Sequence, residues 1–298
     1  MKKSAMYSVI VSLAIVSLAG FTRTACAEDA APSPAGAPAD APADTMADTT
    51  ATEMYARPTA SGGGEDKWTF TSPLYLWAVG LTGTATLKGN TLTVDESFTE
   101  LADHLDQGFT AYLQLAKPQY GFYVNPNYYG LNFSGKIGPI KSELDLQLWI
   151  IEMAGYYRIW EYAGTRPADL YVVAGARYWN LHENLRIKGS GHTAETQWLL
   201  DPMIGLRFNE AITQRLHFMT QADIGGFNLA GQTSRFSWQW MANLGYDFTM
   251  PVIKKPSTVF VGWRQINVQK TSGSSTVNQT AFNLNFSGIQ VGLNVALF

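Results

Sequence analysis

The stretch FSWQWMANLGYDFT, residues 236–249, decides the fold. Read with a period of two, it has one apolar face: Phe236, Trp238, Trp240, Ala242, Leu244, Tyr246 and Phe248. Its other face is small or polar: Ser237, Gln239, Met241, Asn243, Gly245, Asp247 and Thr249. Successive side chains of a strand point to opposite sides, so this strand divides two unlike environments. Its aromatics gather at the two ends of the apolar face. A strand crossing a bilayer needs this layout, a lipid-facing band about 25 Å tall with an aromatic girdle at each interface.

Working outward, the pattern recurs. In 197–209, Trp198, Leu200, Pro202, Ile204, Leu206 and Phe208 oppose Gln197, Asp201, Met203, Gly205, Arg207 and Asn209. In 215–224, Leu216, Phe218, Ala222 and Ile224 oppose Arg215, His217, Gln221 and Asp223; in 170–179, Leu170, Val172, Ala174 and Ala176 oppose Tyr171, Val173, Gly175 and Arg177. Further strand candidates are 68–81, 109–117, 120–133, 143–158, 257–269 and 280–297. Short turns (117–119, 163–167, 209–213, 250–256) alternate with longer polar linkers (135–142, 183–194, 229–234, 270–278), as in bacterial barrels with short turns on the periplasmic side. The expected fold is all-β, a transmembrane antiparallel up-and-down β-barrel of about ten strands. Residues 83–107 are left over: a weak strand from Thr84 to Val94, then a helix-like run from Ser97 to Asp106 with Phe98, Leu101, Ala102 and Leu105 at helical spacing. They form either one short helix after the first strand, outside or inside the lumen, or two more strands and a barrel of twelve.

Composition agrees. Of 298 residues 15% are charged, against about 25% in soluble domains, and 46% are hydrophobic. A net charge of −3 offers no basic face for nucleic acid. After the first 21 residues there is no run of 18 apolar residues, so the chain does not cross a membrane with helices. Residues 1–27 read as a secretory signal, with Lys2 and Lys3, an apolar stretch from Ala5 to Phe21, and Ala25-Cys26-Ala27 as a small-x-small cleavage site. Arg23 stands where a lipoprotein signal wants an aliphatic residue, so Cys26 is expected to leave with the signal. Disulfides, thiol catalysis and Cys-ligated metals leave with it. Residues 28–66, rich in Ala, Pro, Asp and Thr with eight acids and Arg57 as the one base, are expected to be a disordered periplasmic spacer. Residues 67–298 are the barrel.

The segments Ser72-Pro73-Leu74-Tyr75-Leu76-Trp77-Ala78, Gly80-Leu81-x-Gly83, Val94-Asp95-x-Ser97-Phe98-x-x-Leu101 and Asp106-x-Gly108-Phe109 resemble the opening third of a Gram-negative outer-membrane β-barrel family, most of whose members have no assigned function. The resemblance implies the outer membrane as location, with outer-membrane lipids and lipopolysaccharide, barrel-assembly machinery and periplasmic chaperones as partners. Phe298 would be the terminal assembly signal, although Ile289, Val291, Leu293, Val295 and Leu297 run one residue out of phase with it. Asn125-Pro126-Asn127 departs from an ordinary strand, because proline cannot donate to a ladder.

For chemistry, His182, Glu183 and His192 match no zinc spacing, and no cofactor motif is present. His217 and Asp223 are about 20 Å apart along a strand, too far to bond, so no catalytic set emerges and no enzyme is expected. Strand parity places Arg177, Asp201, Arg207, His217, Asp223, Asp247 and Arg264 on the inner face, where charges in a membrane span must face a polar lumen or one another. They either fill a narrow barrel or line a balanced constriction. The functional expectation is a narrow porin-like channel for small solutes or a structural envelope protein. The alternatives are a lipid-modifying enzyme and an adhesin or receptor acting through 183–194 and 270–278.

Overall fold

The computed structural model describes residues 68–87, 90–137, 140–187, 191–229, 231–250, 256–272 and 280–295. The expected signal peptide, the acidic spacer and Phe298 lie outside the described residues. The strands are β1 (Thr69–Thr71), β2 (Leu74–Leu87), β3 (Asn90–Glu96), β4 (Leu105–Thr110), β5 (Leu113–Ala116), β6 (Tyr120–Ile137), β7 (Ile140–Tyr162), β8 (Ala168–Ile187), β9 (Gly191–Ala211), β10 (Leu216–Gly225), β11 (Phe236–Thr249), β12 (Pro256–Ser272) and β13 (Thr280–Val295). One helix, α1 (Phe98–Ala102), lies between β3 and β4.

From β6 to β13 each strand pairs antiparallel with the next, and β13 then pairs with β2. β1, two residues ahead of β2, pairs with β5, and Leu74 bridges to Ala111, so the sheet closes on itself. β1 with β2 make one span and β4 with β5 another. Ten spans therefore ring the barrel, and β3 is a hairpin return on the upper half of β2.

Side-chain parity follows the expected faces. On β11, Ser237, Gln239, Met241, Asn243 and Gly245 are buried while Phe236, Trp240, Leu244 and Tyr246 are exposed. From Trp238 to Phe248 is roughly 33 Å along the strand at about 3.3 Å per residue, which a tilt of about 40° reduces to the 25 Å of a lipid-facing band. Exposed Trp198, Trp240 and Trp263 mark its upper edge, and Trp160, Tyr162 and Tyr246 the lower edge near the short turns.

Four expectations need correction. Of the expected linkers at 135–142 and 183–194, residues 135–137, 140–142, 183–187 and 191–194 are ladder, not loop: β6 and β7 pair up to Ile137↔Ile140, and β8 and β9 up to Ile187↔Gly191. The sequence there shows no clear alternation, yet the backbone pairing continues. His182 accordingly lies in β8, with Nδ1 2.7 Å from the Thr196 hydroxyl. Thr84 to Val94 is two strands of a hairpin rather than one. The helix is five residues long rather than ten, capped by Ser97 with Glu100 reaching back to it, and the chain re-enters a strand at Leu105.

Pro126 also finds its reason. Its carbonyl accepts from the Ala111 N–H at 3.0 Å, so its missing N–H falls on the same edge, where β4 and β5 are interrupted at 111–112. Ala111 and Tyr112 are both buried there, which gives the wall a bulge-like break that aims Tyr112 inward.

At the top, the 226–235 connection folds toward the interior. Gly226, Phe227 and Asn228 all have positive φ (86°, 57° and 51°). Lys270 donates to the carbonyls of Gly231 and Thr233, and the Ser234 N–H donates to Asp201 at 2.6 Å.

Candidate functional site: the charged layer in the lumen

Strands β6 to β12 contribute inward polar and charged residues to one layer of the lumen. Register brings Glu152 of β7 opposite Arg177 of β8, Arg207 of β9 opposite Gln221 of β10, and Asp223 of β10 opposite Gln239 of β11. Arg177 donates through Nε to Glu152 Oε1 at 2.8 Å and through Nη2 to Asp223 Oδ1 at 2.7 Å. Arg264 of β12 meets the other oxygen of Glu152 at 3.0 Å and donates to Gln239 Oε1 at 3.0 Å. Gln239 and Gln221 both donate to Asp223 Oδ2, at 3.0 and 3.2 Å. Glu152, Asp223, Arg177 and Arg264 are thus a neutral quartet, each at most 3% exposed.

Partners in the layer span the lumen. Glu152 and Arg264 stand five strands apart in a ring of ten, which is opposite walls. Gln221 donates to the Tyr123 hydroxyl on β6 at 3.1 Å, and Arg207 to the Tyr112 hydroxyl at 3.1 Å. Arg264 Nη1 lies 3.3 Å from the Tyr75 hydroxyl, which stands within hydrogen-bond reach of both Asn125 Oδ1 and Asn127 Oδ1 of β6, at 2.8 and 2.7 Å. One step higher, Trp179 of β8 packs against Phe286 of β13, again wall to wall, with ring centroids 5.7 Å apart. At this height the lumen is filled by side chains.

Placement of the expected residues is uneven. Arg177, Arg207, Asp223 and Arg264 are in or beside the layer. Asp201 faces Arg177 in register, yet its carboxylate takes the Trp179 indole N–H at 3.2 Å and the Ser234 N–H. His217 and Asp247 bond each other near the short turns, with Thr258 also donating to Asp247. Arg207 has its guanidinium between the rings of Tyr123 and Tyr156, 4.9 and 4.8 Å from their centroids, and Gln221 accepts from its Nε at 2.9 Å. Among these inner-face residues, Arg177 and Asp223 form an ion pair.

Glu152, the hub, was not picked out by parity. It lies in LWIIEMAGYY, where Ile150 points in and Ile151 out, so both faces look apolar. Tyr75 and Trp77 of the family-like opening segment belong to the layer as well: the Arg264 guanidinium lies 4.7 Å from the Trp77 ring centroid. No group of three or more His, Cys, Asp or Glu with the geometry of a metal site occurs among the described residues.

No protein-family model matches the chain, and no curated protein does. Among solved structures it is similar to the outer membrane protease OmpT from Escherichia coli, with 10% identity, 76% of this chain and 95% of that chain covered, and a TM-score of 0.44. It is also similar to a FadL homologue from Pseudomonas aeruginosa (10% identity, 78% and 90% covered, TM-score 0.28) and to OccAB2 from Acinetobacter baumannii (7% identity, 75% and 98% covered, TM-score 0.20).

Proposed function

We propose that this chain is an outer-membrane β-barrel whose lumen is closed at rest, a structural envelope protein that conducts small solutes only when the charged layer parts. The observation that carries the reading is the ion pairing of Glu152 with Arg177 beside it and with Arg264 on the opposite wall. A charged group in a membrane span is costly unless paired, and this quartet pairs all four of its members. The exposed apolar band between two aromatic edges supports membrane insertion. On this reading outer-membrane lipids and lipopolysaccharide surround the band, barrel-assembly machinery and periplasmic chaperones deliver the chain, and residues 28–66 extend into the periplasm. The protein is not an enzyme on this reading, because both acids of the quartet are committed to guanidinium groups.

Two measurements test it. The purified, refolded protein should migrate differently on SDS gels before and after heating and give a strand-dominated circular dichroism spectrum; a helical spectrum in detergent overturns the barrel. In planar bilayers it should be silent or show rare small steps. A large, steady conductance overturns the closed lumen.

A further inference from the structure

The motif residues Gly80, Gly83 and Val94 to Phe98 take no part in the charged layer. They build a second feature, on the outer wall. Gly83 holds φ at +148°, and a Cβ there would strike the Asn283 carbonyl oxygen of β13, so only glycine fits. At Gly80 the chain from Glu96 to Phe98 crosses the outward side of β2: a Cβ on Gly80 would stand 3.1 Å from the Glu96 carbonyl oxygen and 3.4 Å from the Phe98 nitrogen. The β3–α1 excursion is therefore an overhang outside the barrel, not an insert in its lumen.

Between overhang and wall lies a crevice of about 510 Å³. Ala78, Gly80, Ser287 and the Trp263 ring form its wall side, and Asp95, Glu96 and Glu100 line it from the overhang. Its height is set by the wall. On β12 the exposed apolar run Val259, Val261, Trp263 gives way to Gln265; on β13 Val291 and Ile289 give way to Ser287 and Asn285. The crevice thus opens at the border between lipid band and water, where lipid headgroups lie. Its carboxylates sense one another: burial, then the charges of Glu100 and Asp95, raise Glu96 above the ordinary carboxylate range. Such a surface repels a bare phosphate and attracts an ammonium group, and the Trp263 face adds a cation–π partner.

We infer that this crevice seats the ammonium headgroup of an amine-bearing lipid from the surrounding leaflet, its chains running down the wall over Leu76 and Ile289. The inference rests on the membrane-barrel reading above.

The test is native mass spectrometry of the full chain in micelles doped with equal amounts of phosphatidylethanolamine and phosphatidylglycerol of identical chains. Wild type should retain one ethanolamine lipid several-fold over the glycerol lipid. Ser287→Trp fills the crevice from the wall with the acids untouched, and should bring the two lipids level. Asp95→Asn with Glu96→Gln keeps the volume, leaves the Glu100 cap of α1 intact, and should also abolish the preference. Equal retention of both lipids by wild type overturns the inference, as does an unchanged preference in Ser287→Trp and in the double variant alike. Heat-modifiable migration, checked for each protein, separates the two failures. A heat-modifiable wild type without preference overturns the crevice alone, whereas a wild type that is not heat-modifiable overturns the barrel beneath it.

Discussion

Arg264 and Tyr75 meet inside the barrel, guanidinium Nη1 to hydroxyl at 3.3 Å, across 189 residues of chain. They are not on neighbouring strands, since β13 stands between β12 and β2. The contact reaches past one strand, and through Asn125 it extends to β6 on the far side of the closure.

Removing Arg264 leaves Glu152 with one cation where it had two. Arg264→Ala should lower unfolding stability by about 3–5 kcal/mol, the usual cost of breaking a buried pair. A urea midpoint in micelles reads this. If the layer then admits ions, conductance rises and selectivity moves toward cations, because a fixed positive charge is gone. Reversal potentials in a salt gradient measure that shift; unchanged stability together with unchanged selectivity refutes the role.

Glu152 is the better handle on coupling. Glu152→Gln and Arg264→Gln should each destabilise, and the double variant should cost less than the two singles added, because the second change removes a charge the first left unpaired. The measurement is a double-mutant cycle on unfolding free energies. Strict additivity would mean that the two groups do not interact.

The lipid face gives a depth-dependent expectation. Leu244, exposed within the apolar band, should lose about 2–4 kcal/mol on change to Arg. Gln265, outward on β12 just above Trp263, should lose only about 0–1 kcal/mol for the same change. Equal losses at the two sites would place the band edge elsewhere.

The overhang carries a pH dependence. Burial, then Glu100 and Asp95, raise Glu96, so its charged form is the disfavoured one in the folded overhang. The penalty is present in full above the raised value and vanishes as pH falls through it toward the unfolded value. Amides of residues 94–98 should therefore become better protected on acidification from pH 7.5 into the ordinary carboxylate range, in hydrogen exchange corrected for intrinsic rates. Glu96→Gln should flatten the profile.

Legibility in the sequence followed the contrast between environments. At Phe236 to Thr249 one face meets lipid and the other a polar interior, and the alternation reads directly. At Glu152 the inward neighbour Ile150 and the outward neighbour Ile151 are alike, so parity carries no signal there. The same limit hid how full the lumen is. Asn243 falls on the inner face by parity, and the structure shows it 1% exposed, accepting a hydrogen bond from Gln290. Periodicity tells which way a side chain points, and nothing about what already occupies that space. Between 135 and 142 the error ran the other way, because polar composition suggested a loop where backbone pairing alone continues the strands.

The junction between β1 and β5 consists of three residue pairs and the single Leu74–Ala111 bridge, whereas β7 and β8 share a ladder from Ser142↔Ile187 to Tyr162↔Ala168. A closed sheet can only be made or unmade by parting one of its ladders, and the shortest ladder resists least. The barrel therefore has a built-in zip line. Closure of the sheet thus rests on the Thr69–Thr71 ladder, locked from within by the Tyr75 hydroxyl against Asn125 and Asn127.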